Sequence, residues 1–169
     1  MIGIRRAEPG DAEALVELGG EVGGVEGAWL LTTAEWRSIA DERRYLRAVR
    51  RHADAAVYVA EADGRIVARL SLARDVHPAS AHVAYLGLMV AVSHRRRGVG
   101  RAMLEQAVAW AESAGIRKLE LHVFPWNEPA LALYTSFGFE REGLRKAHYL
   151  RDGVPVDAIL MALLLANPS

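Results

Sequence analysis

Hydrophobic positions recur along this chain with two periods, one of two residues and one of about 3.6, which predict strands and helices. The shorter period and the apolar runs predict seven strands, over residues 2–7, 55–61, 65–73, 82–92, 118–124, 139–149 and 154–165. The longer period predicts four helices, over residues of roughly 11–19, 34–51, 98–114 and 127–137. The predicted order is β-α-α-β-β-β-α-β-α-β-β, in one domain over residues 1–169.

Turn and capping residues mark several limits of these elements. Asp11 and Thr33 are predicted N-caps of the first two helices. The glycine-rich segment 19–24 predicts the end of the first helix. Asp63-Gly64 and Asp152-Gly153 each predict a tight hairpin between two strands. Hairpins indicate antiparallel neighbours, whereas the central strand–helix–strand passage indicates a right-handed crossover between parallel ones. We therefore expect an α/β (α+β) fold, a mixed sheet with helices on both faces.

The composition of the chain excludes several classes of protein function. The 169 residues are 51% hydrophobic, enough to build the core of one domain. Lys plus Arg equals Asp plus Glu at 21 each, which argues against a general nucleic-acid or membrane-surface binder. With no cysteine, disulfides, thiolate metal sites and a cysteine nucleophile are excluded. The chain has no apolar run of about 18 residues and no hydrophobic signal-peptide region, so we expect a cytoplasmic protein.

The strongest chemical motif follows the strand over 82–92. A basic turn, Arg95-Arg96-Arg97-Gly98-Val99-Gly100, connects that strand to an amphipathic helix. Bare backbone N–H groups and the positive end of the helix dipole meet at such a place, which favours binding of a phosphate or pyrophosphate.

Three phosphate-binding patterns compete for this turn. A Walker loop requires Gly-Lys-Ser/Thr, which the chain lacks. A dinucleotide fingerprint requires a third glycine where Met103 stands, although Glu120 lies at the right distance for its acidic residue. The third pattern, Arg/Gln-x-x-Gly-x-Gly/Ala, is matched in full by Arg95 to Gly100.

Together with later motifs, this turn resembles the GCN5-related N-acetyltransferase superfamily. The later motifs are Asn127, Tyr134 seven residues on, and Gly138-Phe139. The match covers residues of about 83–165, and the first third of the chain is compatible in element order. The segment 149–157 is similar to bacterial amino-acid N-acetyltransferases and, more loosely, to ribosomal-protein N-terminal acetyltransferases. The resemblance implies a mostly antiparallel sheet of about seven strands.

The resemblance also implies a site for acetyl-CoA as co-substrate. The strand over 83–90 would part from the strand over 118–124 and leave a wedge for the pantetheine arm. The turn would hold the pyrophosphate through its amides, while Arg95, Arg97 or Arg101 would pair with the remaining phosphate charge. The implied binding residues are Leu88, Met89, Val90, Arg95, Arg96, Arg97, Gly98, Val99, Gly100, Arg101, Asn127 and Tyr134.

For catalysis, the resemblance places Tyr134 at the position of the acid that protonates the departing thiolate. A base must also deprotonate the attacking amine. Relatives often carry glutamate where this chain has His122, whose imidazole titrates near neutrality. Glu120 shares a strand face with His122 and is expected either to orient it or to replace it. Because no cysteine can carry the acyl group, we expect direct transfer in a ternary complex.

The acceptor is expected to be a primary amine of a small molecule or an amino acid. Its site would be built from residues in two regions: Glu21, Glu26, Trp29 and Trp36 in the first, and Arg145, His148 and Tyr149 in the second. Three alternatives stay open, namely a peptide or protein N-terminal acetyltransferase, a non-catalytic CoA-binding regulatory module, and a nucleic-acid binder using Arg95 to Arg97. The histidines show no metal-ligand spacing, so no metal is predicted. Many relatives dimerise, so a homodimer is compatible with the resemblance.

Overall fold

The computed structural model describes residues 1–24 and 37–166. Within them the chain forms seven strands and four α-helices in the predicted order. The elements are β1 (Ile2–Arg6), α1 (Ala12–Gly23), α2 (Ile39–Val49), β2 (Ala55–Ala62), β3 (Arg65–Arg74), β4 (Val83–Val90), α3 (Val99–Ser113), β5 (Lys118–Val123), α4 (Glu128–Phe137), β6 (Glu140–Arg151) and β7 (Val154–Leu164).

The seven strands form one mixed sheet in the order β1-β2-β3-β4-β5-β7-β6. Every neighbouring pair is antiparallel except β4 and β5, which α3 connects as a parallel crossover. Four consecutive residues of β3, from Val67 to Leu70, are buried although their side chains alternate between the two faces. Both α1 and α3 contact β3, so helices cover both faces. The predicted fold class is confirmed.

Both predicted hairpin turns are present. Asp63 and Gly64 have φ angles of 52° and 73°, and Asp152 and Gly153 have φ angles of 50° and 77°. Two successive left-handed residues are typical of a type I′ turn, whose twist matches that of the strands it joins. These turns fix the β2–β3 and β6–β7 pairings.

Two helix limits differ from the prediction. The first helix does not end at its glycines, because α1 continues through Gly19 and Gly20 to Gly23. Leu18 and Val22 are buried on the same helix face, so tertiary packing overrides the cost of about 1 kcal/mol that each glycine brings. The second helix begins at Ile39, where the Ser38 side chain accepts a hydrogen bond from the Asp41 amide at 3.1 Å. The predicted cap Thr33 lies outside the described residues.

A buried ion pair joins α2 to the centre of the sheet. Glu42 of α2 is fully buried, and its carboxylate binds the guanidinium of Arg69 on β3, which is 4% exposed. Arg37 lies 3.3 Å from the other carboxylate oxygen. The Nε of Arg69 also donates to the Ser71 hydroxyl at 3.1 Å. The pair therefore ties a helix to the strand next to the parallel crossover.

We expect Glu42→Gln to lower the free energy of unfolding by about 3–5 kcal/mol, because it removes the carboxylate that compensates the buried charge of Arg69. Glu13→Gln, at an exposed position of α1, is the matched control and should change stability by no more than about 0.5 kcal/mol. Urea unfolding followed by circular dichroism measures both variants. If Glu42→Gln were as stable as the control, the structural role of the pair would be refuted.

Candidate active site

The sheet opens into a fork at the parallel pair of β4 and β5. Residues Val83–Tyr85 of β4 pair with Lys118–Glu120 of β5, and the pairing stops there. Beyond this point β4 continues along β3, whereas β5 continues along β7. Within residues 1–24 and 37–166, the backbone of residues 86–90 therefore has no strand partner on its β5 side. The wedge that the resemblance implied between these strands is present.

A cleft of about 440 Å³ occupies the fork. Residues of β3 and β4 form one wall, residues of β5 and α4 form the other, and the turn before α3 closes one end. Two predicted binding residues do not line it: Val99, which is buried in the core, and Arg97. The predicted binding residues that do line the cleft are Leu88, Met89, Val90, Arg95, Arg96, Gly98, Gly100, Arg101, Asn127 and Tyr134.

The turn presents the N-terminus of α3 to this cleft. Gly98 is the N-cap, with a φ of 80°, and Arg96 also has a positive φ, of 58°. Helical hydrogen bonding begins with the Ala102 amide, which donates to the Gly98 carbonyl at 3.0 Å. The amides of Val99, Gly100 and Arg101 precede that bond and are therefore outside the helical ladder. These amides and the helix dipole form a site suited to an anionic group.

The two glycines of the turn serve different purposes. A Cβ at Gly98 would meet no atom within 4 Å, so space does not require glycine there. Glycine is favoured at this position because the backbone is left-handed. A Cβ at Gly100 would lie 2.7 Å from Cδ2 of Leu133 on α4. Gly100 therefore lets α3 and α4 approach each other, and it keeps Leu133 in its place on the cleft wall.

The arginines near the turn differ in their surroundings. Arg95 donates from Nε to the Val90 carbonyl at 3.3 Å, and partial burial lowers the pKa of this guanidinium. Arg101 lies 3.7 Å from Glu105 one helical turn on, and its guanidinium stands 5.4 Å from the centre of the Phe137 ring. Arg95 is thus bound to the end of β4, whereas Arg101 lies on the first turn of α3.

Helix α4 brings Asn127 and Tyr134 to the opposite wall. Asn127 caps the helix, because its Oδ1 accepts a hydrogen bond from the Ala130 amide at 3.2 Å. Tyr134 is 7% exposed and packs edge-on against Phe139, with 5.7 Å between the ring centres. Burial raises the pKa of the Tyr134 phenol above its ordinary value of about 10, so the hydroxyl stays protonated at neutral pH. A protonated phenol in the cleft can donate a proton.

His122 of β5 lines the same cleft. Its Nδ1 lies 2.7 Å from the Tyr149 hydroxyl. Burial lowers the pKa of the imidazole, and electrostatic interaction with Arg145 and His148 lowers this pKa further, against a smaller opposing effect of Glu120. The ring is therefore neutral at pH 7 and carries one unprotonated nitrogen, as a base requires.

Glu120 is held by other partners. Its Oε1 lies 3.0 Å from Nζ of Lys118, which also lies 2.6 Å from Oε1 of Glu142. Glu120 stands at the last paired position of the fork and does not line the cleft. The hydrogen-bond partner of His122 Nδ1 is Tyr149, so the structure does not bring Glu120 into the orienting contact that was expected.

Strand β3 also contributes to the site, which the sequence motifs did not predict. Arg69 and Ser71 line the cleft, and Glu42 stands behind Arg69. The sequence does contain one signal for this contribution, the charged Arg69 inside the apolar run of residues 66–72. A charge buried in such a strand needs a partner.

The expected acceptor residues are only partly brought together. Tyr149 and His148 of β6 contact His122, with 5.6 Å between the two imidazole centres. Glu21 is exposed on α1. The remaining expected residues of the first region, Glu26, Trp29 and Trp36, lie outside the described residues. No group of three or more His, Asp or Glu side chains suited to a metal occurs in residues 1–24 and 37–166. None of the helices there has the length and hydropathy of a bilayer-spanning helix.

Comparison with known proteins identifies the family of the chain. The model of the acetyltransferase (GNAT) family matches residues 25–139, more than half of the chain. The chain is 36% identical over 105 residues to L-amino acid N-acetyltransferase AaaT of Escherichia coli, a match that covers 62% of this chain and 65% of that protein. It is 40% identical over 70 residues to the ribosomal protein bS18-alanine N-acetyltransferase of Escherichia coli, covering 41% of this chain and 47% of that protein. The matches thus span less than two thirds of either relative.

The fold agrees with solved structures. An acetyltransferase of Salmonella typhimurium, solved with acetyl-CoA, superposes with a TM-score of 0.86 at 19% identity, covering 100% of this chain and 96% of that one. At this identity the likeness shows the fold alone. Together with the family match, it confirms the resemblance found in the sequence. The chain belongs to the acetyltransferase (GNAT) family.

Proposed function

We propose that this protein transfers an acetyl group from acetyl-CoA to a primary amine of a small molecule or an amino acid. The observation that carries the proposal is the fork between β4 and β5, with the N-terminus of α3 at its end. The similarity to an L-amino acid N-acetyltransferase supports both the reaction and the acceptor class. We further propose that both substrates are bound at once and that the amine attacks directly, since no cysteine is available to carry the acetyl group.

The residues of the cleft fit acetyl-CoA in two places. The amides of residues 99–101 and the helix dipole suit the pyrophosphate, with Arg95, Arg96 and Arg101 nearby to offset its charge. The free edge of residues 86–90 offers backbone donors and acceptors to the amides of the pantetheine arm, as a sheet edge does to an added strand. When bound, acetyl-CoA supplies an activated thioester for attack by the amine.

Three groups of the chain would act on the reacting atoms. A backbone N–H near Leu88, Met89 or Val90 would polarise the thioester carbonyl. The Tyr134 hydroxyl, protonated at neutral pH, would give a proton to the leaving sulfur. His122, neutral at the same pH, would take a proton from the acceptor ammonium. The pKa of Tyr134 is raised and the pKa of His122 is lowered, so at neutral pH the cleft holds one protonated and one unprotonated side chain. One acid and one base in the same cleft require such a pair.

A second candidate acceptor is the N-terminus of a peptide or protein. The similarity to a ribosomal protein bS18-alanine N-acetyltransferase, 40% identity over 70 residues, favours this acceptor. Release of free thiol from acetyl-CoA tests both candidates when it is measured with the twenty L-amino acids, spermidine and a peptide that begins with alanine. Turnover of one or more amino acids supports the first candidate, and turnover of the peptide alone supports the second. Tight CoA binding without any turnover would indicate a non-catalytic CoA-binding module.

Gly98→Glu should abolish CoA binding, because it places a carboxylate and a strained backbone where the pyrophosphate is expected to lie. We expect the affinity measured by calorimetry to fall at least about 100-fold, or about 2.7 kcal/mol. Gly115→Glu is the matched control, because Gly115 has a similar φ of 71° just beyond the other end of α3. The control should bind CoA normally. Normal binding by folded Gly98→Glu would mean that the pyrophosphate lies elsewhere.

Tyr134→Phe should lower kcat about 100-fold while the Kd for acetyl-CoA stays near that of the unchanged protein. The substitution removes the proton donor and retains the aromatic ring that packs on Phe139. Steady-state kinetics and calorimetry measure the two quantities. Tyr58→Phe, on β2 and away from the cleft, controls for loss of a hydroxyl and should leave both unchanged. An unchanged kcat in Tyr134→Phe would refute the acid role.

A further inference from the structure

His122 carries an unusual buried atom. Of the described residues, its Nε2 is the one buried side-chain nitrogen or oxygen that has no hydrogen-bond partner. Native proteins satisfy the large majority of buried polar atoms, so each exception needs an explanation. The ring borders the cleft in which the acceptor is proposed to bind. The atom is therefore placed to bind a group of the acceptor.

The other ring nitrogen is already bound. Nδ1 lies 2.7 Å from the hydroxyl of Tyr149 on β6. A neutral imidazole has one proton for two nitrogens, so the hydrogen bond at Nδ1 decides the state of Nε2. If Nδ1 donates to the tyrosine oxygen, Nε2 is a bare lone pair; if the tyrosine donates, Nε2 carries a buried N–H without an acceptor.

The position of Tyr149 is built into the β6–β7 hairpin. The pairing of the two strands is interrupted between Arg145 and Tyr149. Within the interruption Ala147 has a left-handed φ of 50°, and its amide donates to Oδ1 of Asp157 on β7 at 2.7 Å. Alanine rarely adopts this conformation, so the surrounding structure must hold it. Such irregularities re-aim the side chains of a strand, here Tyr149 towards His122.

We infer that Tyr149 is a positioning residue, whose hydroxyl oxygen accepts the Nδ1–H of His122 and so presents a bare Nε2 to the acceptor amine. The inference rests on the proposed function and deepens it. Orphaned buried N–H groups are rarer than under-satisfied acceptors, which favours this tautomer over its alternative. The missing partner of Nε2 is then an N–H of the acceptor ammonium.

The proton transfers balance. Nε2 of His122 takes one proton from the ammonium, which becomes a neutral amine, while Nδ1–H remains on Tyr149. The amine nitrogen forms the C–N bond, the C–S bond breaks, and Tyr134 protonates the departing sulfur. The nitrogen then gives its second proton to the resulting Tyr134 phenolate, which restores the phenol. The imidazolium proton is then released to solvent.

The titratable and charged groups that act on His122 come from two strands. Arg145 and His148 on β6 lower the pKa of the imidazole, and Glu120 on β5 raises it, while burial lowers it most. Because the net direction is downward, the base form persists below the ordinary imidazole pKa of about 6.5. The acid limb of kcat/KM should therefore lie below that pH.

Long-range ¹H–¹⁵N spectra of the histidine rings test the tautomer without any acceptor. We expect His122 to carry its proton on Nδ1 at pH 7, and Tyr149→Phe to shift the population towards Nε2–H. His122→Gln assigns the signals, and Tyr58→Phe controls for loss of a hydroxyl elsewhere. A ring protonated on Nε2 in the unchanged protein would overturn the inference, whatever the protein acetylates.

Kinetics with the L-amino acid that turns over fastest test the consequence. We expect Tyr149→Phe to lower kcat/KM about 10- to 100-fold at pH 7, with an unchanged Kd for acetyl-CoA. The loss should shrink as the pH approaches the pKa of the amine, because a neutral amine needs no base. Tyr149→Phe should add little to His122→Gln, since the two residues act as a unit. A loss that is independent of pH and additive with that of His122→Gln would overturn the inference.

Absence of turnover with the whole panel would count against the proposed function, whereas the ring spectra decide the tautomer separately. Thermal unfolding of Tyr149→Phe confirms that the variant is folded. Tyr149 is only half-buried and phenylalanine keeps its ring, so its edge-on contacts with His122 and Phe124 should persist.

Discussion

The site depends on one interruption of backbone hydrogen bonding, the point at which β4 and β5 cease to pair. Each strand has a full partner on its other side, β3 for β4 and β7 for β5, so the sheet remains whole while its centre opens. The opening leaves the facing edges of β4 and β5 without a strand partner among the residues that the structure describes. A sheet edge in this state is a ready template for an extended ligand with amide groups.

The crossover helix α3 places a helix N-terminus at the end of the fork. Because β4 and β5 are parallel, the chain must pass through α3 between them, and the helix begins where β4 ends. Its N-terminus is therefore placed at the end of the cleft by topology. Gly98 permits the turn, and Gly100 permits close packing of α3 on α4. The same packing sets Tyr134 on one wall, opposite the free edge of β4 and near His122 of β5.

Local patterns in the sequence predicted much of this. The periodicity of hydrophobic residues and the turn residues predicted all eleven strands and helices in order. The resemblance to the family implied the fork and the residues along it. Contacts between distant segments were missed. The Glu42–Arg69 pair joins residues that are 27 positions apart, and the contact of His122 with Tyr149 also spans 27 positions. The left-handed Ala147 has no local signature, since alanine carries no preference for that conformation. The continuation of α1 through its glycines reflects burial, which propensity does not report.

Amide chemical-shift perturbation on titration with CoA tests the central claim most directly, because it reads each backbone N–H separately. If the fork and the N-terminus of α3 hold the ligand, the largest shifts should fall on residues 96–101 and 86–90, and the two segments should saturate together. Saturable shifts confined to other parts of the chain, or no shifts at millimolar CoA, would contradict the account.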